Sequence, residues 1–279
     1  MGTATPVDAT PDYAAITARQ QKVWSAGDYA AIAARIPIIS EVLCDAADLR
    51  AGSRVLDVAG GTGNTALAAA RNGCRVVSLD YVPALLDRAR ERAAAEGLEL
   101  ELVEGDAQAL PFPDASFDAV VSVVGVMFAP DQRRVADEML RVSRPGGTIA
   151  LASWTPEGFI GGLFRTVGAH VPPPAGLAPP PLWGDEDHVR ALLGDGVSEL
   201  RARRRVYTFR FDAPERFTEF FREHYGPTVA AFAALEPAGR EALAADITAL
   251  ARRFDRLGGD GPVAIEAEYL EVVAVRGEV

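Results

Sequence analysis

A cluster of glycines and a downstream aspartate have the spacing of a nucleoside-binding site. The sequence from Val55 to Asn64 reads Val-Leu-Asp-Val-Ala-Gly-Gly-Thr-Gly-Asn, which predicts a buried strand leading through a glycine loop into a helix. Gly60, Gly61 and Gly63 allow positive φ angles and a close approach to a ligand, and the helix start offers free N–H groups. Asp80 lies 19 residues after Gly61 at the end of the next predicted strand, where its carboxylate can accept both hydroxyls of a ribose.

Two nucleoside ligands fit this loop. Residues 61–66 match the G-x-G-x-x-A form of a dinucleotide fingerprint, which predicts a pyrophosphate at the helix N-terminus. The alternative is S-adenosylmethionine, which carries no phosphate and needs an acid near the loop for its cationic amino-acid end. Asp57, four residues before Gly61, is placed for that role and would repel a pyrophosphate. Asp57 could instead cap amides of the loop.

Alternating strands and helices surround these residues and must position them. Strands are predicted over 54–59, 74–80, 98–104, 117–124 and 147–154, and helices over 64–71, 83–96 and 131–143. Because several of the strands are continuously apolar, the pattern predicts a parallel sheet covered on both faces, hence an α/β fold. Farther along, a connector rich in proline (172–181) precedes a short helix (185–193), a strand (199–211), an aromatic segment (217–232), a helix (237–257) and a last strand (263–275).

The composition narrows the class of protein. The chain has 279 residues, a net charge of −11 and 49% hydrophobic residues, which is typical of a globular protein and disfavours nucleic-acid and membrane partners. Lys22 is the only lysine, so a Schiff-base mechanism has no good candidate. Cys44 and Cys74 suit a reducing cytoplasm and form no zinc cluster, and we predict no metal site. The N-terminus lacks the pattern of a signal peptide.

Several motifs together resemble the class I S-adenosylmethionine-dependent methyltransferases. The similarity is greatest to the bacterial small-molecule group, methyltransferase type 11, which includes the ubiquinone and menaquinone methyltransferases. It covers about residues 20–155 and, in topology, the last strand. The family motif acid-x-G-x-G-x-G appears as Asp57, Ala59, Gly61 and Gly63, with Ala59 in place of a glycine. The other matching motifs are Gly105-Asp106-Ala107, Leu110-Pro111-Phe112-Pro113, Ser116-Phe117-Asp118 and Arg144-Pro145-Gly146-Gly147-Thr148.

The resemblance implies a fold and a set of cofactor contacts. The fold is a doubly wound, Rossmann-like sheet of seven strands in the order 3-2-1-4-5-7-6, with the last strand antiparallel. By resemblance Asp106 accepts from the adenine amino group and the Ala107 amide meets a ring nitrogen. N-terminal helices around 24–36 close over the cofactor, with Tyr29 either a contact or simple packing. The full predicted cofactor set is Asp57, Ala59, Gly60, Gly61, Gly63, Asn64, Asp80, Tyr81, Asp106, Ala107 and Tyr29.

The acceptor side is predicted from the aromatic segment. Phe217, Phe220, Phe221 and Tyr225 follow helical spacing, which fits either core packing or the wall of an acceptor pocket. His224 and Tyr225 are the candidates for proton transfer, although a satisfied helix residue is the simpler reading of His224.

The chain then divides into four parts. These are a mobile tail (1–11), an N-terminal helical cap (12–50), a cofactor-binding core (51–155) and a remainder (156–279) that completes the sheet. The remainder carries helical lid segments at about 156–195 and 213–258.

The predicted activity is methyl transfer from S-adenosylmethionine to a small, largely apolar acceptor in the cytoplasm. The alternatives are a protein of the same fold that binds the cofactor without transferring the methyl group, such as a cyclase or a sensor, and an NAD-dependent oxidoreductase. The sequence leaves open the acceptor, the accepting atom and the oligomeric state.

Overall fold

A computed structural model describes residues 11–278, so the predicted tail lies outside the described residues except for Pro11. The described strands are β1 (Arg54–Val58), β2 (Arg75–Asp80), β3 (Glu101–Glu104), β4 (Phe117–Val123), β5 (Ser143–Trp154), β6 (Val197–Phe211) and β7 (Val263–Arg276). The described helices are α1 (Tyr13–Trp24), α2 (Tyr29–Ala33), α3 (Pro37–Ala46), α4 (Asn64–Arg71), α5 (Pro83–Glu96), α6 (Gln132–Val142), α7 (Phe159–His170), α8 (Glu186–Leu193), α9 (Pro214–His224), α10 (Gly226–Ala234) and α11 (Pro237–Arg253).

The described strands form one sheet in the order β3-β2-β1-β4-β5-β7-β6, which confirms the predicted topology. Strands β1 to β5 pair in parallel, and β7 runs antiparallel between β5 and β6. Asp57 of β1 lies level with Ser78 of β2, two residues before Asp80. The parallel arrangement therefore brings the carboxyl ends of β1, β2, β3 and β4 to one edge, where ligands bind in such folds.

The core explains why the sheet forms where it does. Residues 55–58 of β1 and 149–154 of β5 are all buried, as expected for strands covered on both faces. Local signals set the helix ends: the Asp12 side chain caps α1 by accepting from the Ala15 amide at 3.0 Å, and α5 ends at Gly97, whose φ is +65°.

Several element boundaries differ from the prediction; β5, for example, begins at Ser143 rather than at 147. Three of the differences have a local explanation. Strand β3 begins at Glu101 because the Leu98 amide still donates to the Ala93 carbonyl and so belongs to the end of α5. Helix α11 ends at Arg253 because the Asp255 carboxylate accepts amides of the following turn. The proline-rich connector ends in a short 3₁₀ helix at Pro180–Gly184, which buries Trp183.

Helices α9, α10 and α11 lie in the chain between β6 and β7, where the lid insertion was predicted. Phe217 and Phe221 of α9 are buried, stack on each other with 4.1 Å between ring centroids, and contact Phe209 of β6. This face of α9 is therefore core. No helix among residues 11–278 is long and apolar enough to cross a membrane.

Candidate active site

The glycine loop after β1 is shaped by side chains packed beneath it. A methyl group on Gly60 would fall 2.2 Å from Ser78 Oγ and 2.7 Å from Asp57 Oδ2, so only glycine fits there. Gly61 and Gly63 have φ angles of +56° and +84°, in the region that glycine favours. Gly60 is therefore required because side chains lie too close for a Cβ, and Gly61 and Gly63 are favoured because their φ angles are positive.

Asp57 is completely buried below this loop. Its Oδ2 accepts the Ala66 amide of α4 at 3.0 Å, whereas its Oδ1 has no hydrogen-bond partner. Burial raises the pKa of this carboxyl to about 8, with a smaller contribution from Asp80. Asp57 therefore caps α4, as the sequence allowed, and its predicted contact with a cofactor stays a prediction.

Asp80 ends β2 and forms part of the floor of a cavity at the carboxyl edge of the sheet. Its two carboxylate oxygens accept the amides of Gly61 and Val82, each at 2.9 Å, which fixes the orientation of the side chain and leaves lone pairs on both oxygens. Burial raises the pKa of this carboxyl to about 6, opposed by the amide hydrogen bonds. The sequence-predicted ribose acceptor thus lies 2.9 Å from the glycine loop.

The cavity beside Asp80 encloses about 640 Å³, a volume that includes space open to solvent. It brings together seven of the predicted cofactor residues with apolar and amide side chains from four neighbouring segments. Its lining is Thr17, Gln20, Trp24, Tyr29, Ala59, Gly61, Leu79, Asp80, Tyr81, Val82, Leu85, Gly105, Asp106, Ala107, Gln108, Val124, Gly125, Val126, Phe128, Ala129 and Pro130.

Asp106 and Gln108 form the end of this cavity after β3. The Gln108 amide N–H donates to Asp106 Oδ1 at 2.9 Å, and the Gln108 side-chain Nε2 lies 3.1 Å and 3.0 Å from the two Asp106 oxygens. The carboxylate is therefore held beside Ala107, in the place where the resemblance puts the adenine contacts.

A second cavity of about 320 Å³ adjoins the first across Tyr29, Ala59 and Gly61. Asn64 lines this smaller cavity, but both ends of its side-chain amide are engaged: Nδ2 donates to the Ala33 carbonyl at 2.8 Å, and Oδ1 accepts from Arg92 at 2.8 Å. Asn64 thus ties the loop to the N-terminal helices and to α5.

Aromatic side chains form one wall of the cavity, and Tyr29 among them lies next to Gly61 of the glycine loop. Trp24 is packed edge-on against three rings, with centroid distances of 5.5 Å to Tyr29, 4.7 Å to Phe128 and 5.5 Å to Tyr225. Trp24, Tyr29 and Phe128 line the cavity, whereas Tyr225 stands behind Trp24. We call Trp24, Tyr29, Phe128 and Tyr225 the aromatic cover.

His224 and Tyr225 reach the cavity only indirectly. The His224 ring packs on Phe220 at 4.7 Å, and the His224 backbone carbonyl accepts the Asp28 amide at 3.2 Å. Tyr225 is buried, and burial together with Tyr29 raises the pKa of its phenol well above the usual value. Neither side chain lines the 640 Å³ cavity, and their predicted part in proton transfer stays a prediction.

Sequence reasoning missed several cavity residues that come from distant segments. Thr17, Gln20 and Trp24 lie at i, i+3 and i+7 of α1, a spacing that was visible but carried no chemical motif. Val124 follows β4 with a φ of +53°, and Ser122 Oγ holds this turn by donating to the Val58 carbonyl at 2.8 Å and accepting the Val126 amide at 3.1 Å. A β-branched residue with a positive φ is rare, so the sequence did not predict the turn at Val124.

The comparisons with known proteins agree with this geometry. Residues 56–151 match the family model described as a methyltransferase domain. The chain is 40% identical over 164 residues to a demethylmenaquinone methyltransferase of Deinococcus radiodurans, covering 53% of this chain and 68% of that protein. It is 47% identical over 221 residues to an uncharacterized protein of Mycobacterium tuberculosis, covering 78% of this chain and 81% of that protein.

Among solved structures, the YcgJ protein of Bacillus subtilis has the same fold. It gives a TM-score of 0.58 at 19% identity and covers 86% of this chain and 99% of that chain. The sheet order, the glycine loop and the relatives together establish that the chain belongs to the class I S-adenosylmethionine-dependent methyltransferases.

The residues present fit the cofactor of that family. Asp80 offers free lone pairs at the cavity floor, and the neighbouring walls at Leu79, Val82 and Leu85 are apolar, as the faces of a nucleoside require. Asp57 Oδ1 is a buried polar atom without a hydrogen-bond partner, close to the loop. Among residues 11–278, no group of three or more His, Cys, Asp or Glu side chains is arranged to hold a metal ion.

Proposed function

We propose that this protein transfers a methyl group from S-adenosylmethionine to a small, largely apolar acceptor. The observation that carries the proposal is the cavity itself, in which a buried, amide-held Asp80 faces the aromatic cover. The cavity therefore offers hydrogen-bond acceptors for a nucleoside and an apolar wall for the acceptor molecule.

The chain's own residues would divide the work of holding the cofactor. Asp80 accepts the ribose hydroxyls, Asp106 and Ala107 meet the adenine edge, and Gly61 lets the backbone lie against the ligand. Tyr81 and Ala59 supply cavity wall, while Gly60, Gly63 and Asn64 keep the loop in shape. When bound, S-adenosylmethionine supplies a methyl group on an electrophilic sulfonium.

A dinucleotide fits this site less well. The Ala66 amide at the start of α4, which a pyrophosphate would use, already donates to the Asp57 carboxyl. The geometry therefore favours the ligand without phosphate.

The acceptor must become nucleophilic without strong help from the protein. Burial raises the pKa values of Tyr29 and Tyr225, so both phenols stay protonated at neutral pH and act as hydrogen-bond donors rather than bases. An acceptor with an acidic hydroxyl or an activated carbon meets this condition. The name of the Deinococcus relative suggests a reduced naphthoquinone as the first acceptor to try.

We assign His224 and Tyr225 to the acceptor side, where they support the aromatic cover. The net charge of −11 disfavours nucleic acid and anionic membrane as partners and is compatible with a small-molecule enzyme of the cytoplasm. We propose the same division into cap, core and lid. The N-terminal helices and the core line the cavity, and the lid segment supplies Tyr225, which packs behind Trp24.

Two measurements test the proposal. Calorimetry with S-adenosylhomocysteine and with NAD should show that the first binds and that the second binds more weakly or not at all. Incubation with a methyl-labelled donor and a panel of phenols, reduced quinones, amines and thiols should then label an acceptor, with Asp80→Ala as the inactive control. Tighter binding of NAD would overturn the proposal, and binding of S-adenosylhomocysteine without transfer to any acceptor would favour the cyclase or sensor alternative.

A further inference from the structure

Helix α1 is attached to the molecule less firmly than its neighbours. None of its residues is buried, whereas the shorter α2 and α3 bury Ile32, Ile39 and Leu43. Its inner face, which includes Thr17 and Gln20, borders the 640 Å³ cavity. Only its C-terminal end packs closely on another helix, where the Val23 carbonyl lies against Gly226 of α10. Because the rest of α1 has little apolar burial, a few specific contacts decide whether it is seated.

Those contacts attach α1 to the turns that follow β2 and β3. The Gln21 side-chain amide donates to the Tyr81 carbonyl, and the Thr17 hydroxyl accepts from Gln108 Nε2 at 2.9 Å. At its C-terminal end, Trp24 packs against the aromatic cover. Both polar attachments are thus one or two residues from an acid assigned to the cofactor, Asp80 in one case and Asp106 in the other.

Gln108 is the residue that joins the two sides. Its Nε2 reaches both the Asp106 carboxylate and the Thr17 hydroxyl, and its Oε1 accepts the Asp131 amide at 3.0 Å. All hydrogen-bonding groups of this side chain are therefore engaged, which fixes one conformation. The same amide contacts the predicted adenine-binding acid and the helix that covers it.

We propose that Gln108 couples binding of the cofactor's purine at Asp106 to the seating of α1, which acts as a lid. The inference rests on the proposed function, since it requires a purine in this cavity. A purine beside Asp106 excludes water from the Gln108 hydrogen bonds and so strengthens them. Because coupling is reciprocal, a seated α1 raises the affinity for the purine by the same factor that the purine raises the seating of α1.

The sequence supplies a specific probe of this lid. Lys22 is the only lysine of the chain, and it lies exposed on α1. A lysine-specific protease therefore cuts at one site, and it cuts a helix only when the helix opens. The rate of this cut reports the open population of α1 when opening and closing are fast relative to cleavage.

The experiment compares the Lys22 cut without ligand and with S-adenosylhomocysteine at the same multiple of each variant's own Kd. The ligand should slow the cut at least about tenfold in the original protein. In Thr17→Val and in Gln108→Met the slowing should drop to about threefold or less, because both lose the hydrogen bond between Thr17 and Gln108. Gln108→Met also loses the side-chain hydrogen bonds to Asp106 and to the Asp131 amide. Thr17→Val keeps side-chain size and a similar helix propensity, so it tests the link without unfolding the body.

Ser25→Ala is the matched control. It removes a hydroxyl from the end of the same helix that donates only to the Gln21 carbonyl, so it should keep the full slowing. Undiminished slowing in both Thr17→Val and Gln108→Met would overturn the role of Gln108. Unchanged cleavage of the original protein with ligand shown by calorimetry to be bound would overturn the lid. Absence of binding in calorimetry would instead count against the proposed function.

Discussion

The floor and the cover of the cavity are built in opposite ways. The floor consists of carboxylates at strand ends, held by backbone amides within a stretch of about fifty residues, as Asp80 is held by Gly61 and Val82. The cover consists of rings from segments about two hundred residues apart, as when Trp24 meets Tyr225. The floor suits a ligand that never changes, whereas the cover can vary without disturbing the sheet. We therefore expect floor substitutions to affect mainly the cofactor, and substitution of Tyr225, which stands behind Trp24, to affect mainly the acceptor.

The largest effect is expected from Asp80→Ala. Loss of charge-assisted hydrogen bonds to the ribose should weaken S-adenosylhomocysteine binding by about 2–4 kcal/mol, roughly 30- to 1000-fold. Calorimetry measures this, with far-UV circular dichroism to verify folding. Asp80→Asn, which keeps one acceptor oxygen, should lose less. An unchanged Kd in a folded Asp80→Ala variant would remove Asp80 from the site.

A pH dependence should follow from the same carboxyl. Its pKa is raised to about 6 in the folded protein, so acidification below that value protonates the group that must accept the hydroxyls. Affinity for S-adenosylhomocysteine should fall by up to about tenfold per pH unit below 6. Calorimetry from pH 5 to 8 measures it, and Asp80→Asn should flatten the profile. A flat profile in the original protein would contradict the assignment.

The free energy of unfolding should depend on pH in the opposite sense to cofactor affinity, and should be greater at acidic pH. The folded pKa values of Asp57, about 8, and Asp80, about 6, exceed the unfolded value near 3.8, so between these limits the folded protein binds more protons than the unfolded chain. The free energy of unfolding should therefore fall as pH rises from about 4 to 8 through these two groups. Urea unfolding of the original protein and of Asp57→Asn measures this contribution, which the variant should lose. Identical pH slopes in the two proteins would show that Asp57 is not a titrating buried acid.

Tyr225→Leu should separate the two regions. Removal of the ring leaves Trp24 less supported, so acceptor turnover or acceptor affinity should fall by about tenfold. The Kd for S-adenosylhomocysteine should change less than about threefold, because the hydrogen bonds of Thr17 and Gln21 still attach α1. His224→Ala should also lower acceptor turnover or acceptor affinity, but by less than Tyr225→Leu. A larger loss is expected only if the His224 ring also takes the proton of the acceptor. Collapse of cofactor binding with unchanged acceptor kinetics would place this segment in the cofactor site.

The smallest effect is expected at Ala59, the position where the family has glycine. Its φ of +53° strains an alanine by about 1–2 kcal/mol, which the greater unfolded-state freedom of glycine offsets in part. Ala59→Gly should therefore stabilise the protein by about 0.5–1 kcal/mol and raise Tm by about 1–3 °C. Asp48→Gly, at a φ of +49° on the surface, is the control that should change Tm without changing cofactor affinity. A fall in Tm for Ala59→Gly would contradict the strain.

The sequence predicted the floor because its signals are local. Glycines, a strand-end acid and the period of the strands are readable within short windows, and the sheet order followed from the resemblance those windows carried. Asp106 and Ala107 were placed in the cavity for the same reason.

The cover could not be predicted in the same way. Thr17, Gln20 and Gln108 are ordinary polar residues whose meeting depends on how α1 lies across the sheet edge. The spacing of the aromatic segment fitted either core packing or the wall of a pocket. In the structure, Phe217 is part of the core, whereas Tyr225 packs against Trp24, which lines the cavity.

The position of β7 sets the order in which the molecule can be assembled during synthesis. This strand pairs with β5 on one side and β6 on the other, yet it follows both in the chain. Until residues 263–276 leave the ribosome, β6 has no neighbouring strand to pair with, while β1 to β5 can already pair. The floor of the cavity can therefore form before the last third of the chain is anchored, and a nascent chain stalled before residue 263 exposes the apolar edge of β5. We therefore expect the nascent chain to bind chaperones most strongly late in translation, and to release them when β7 pairs with β5 and β6.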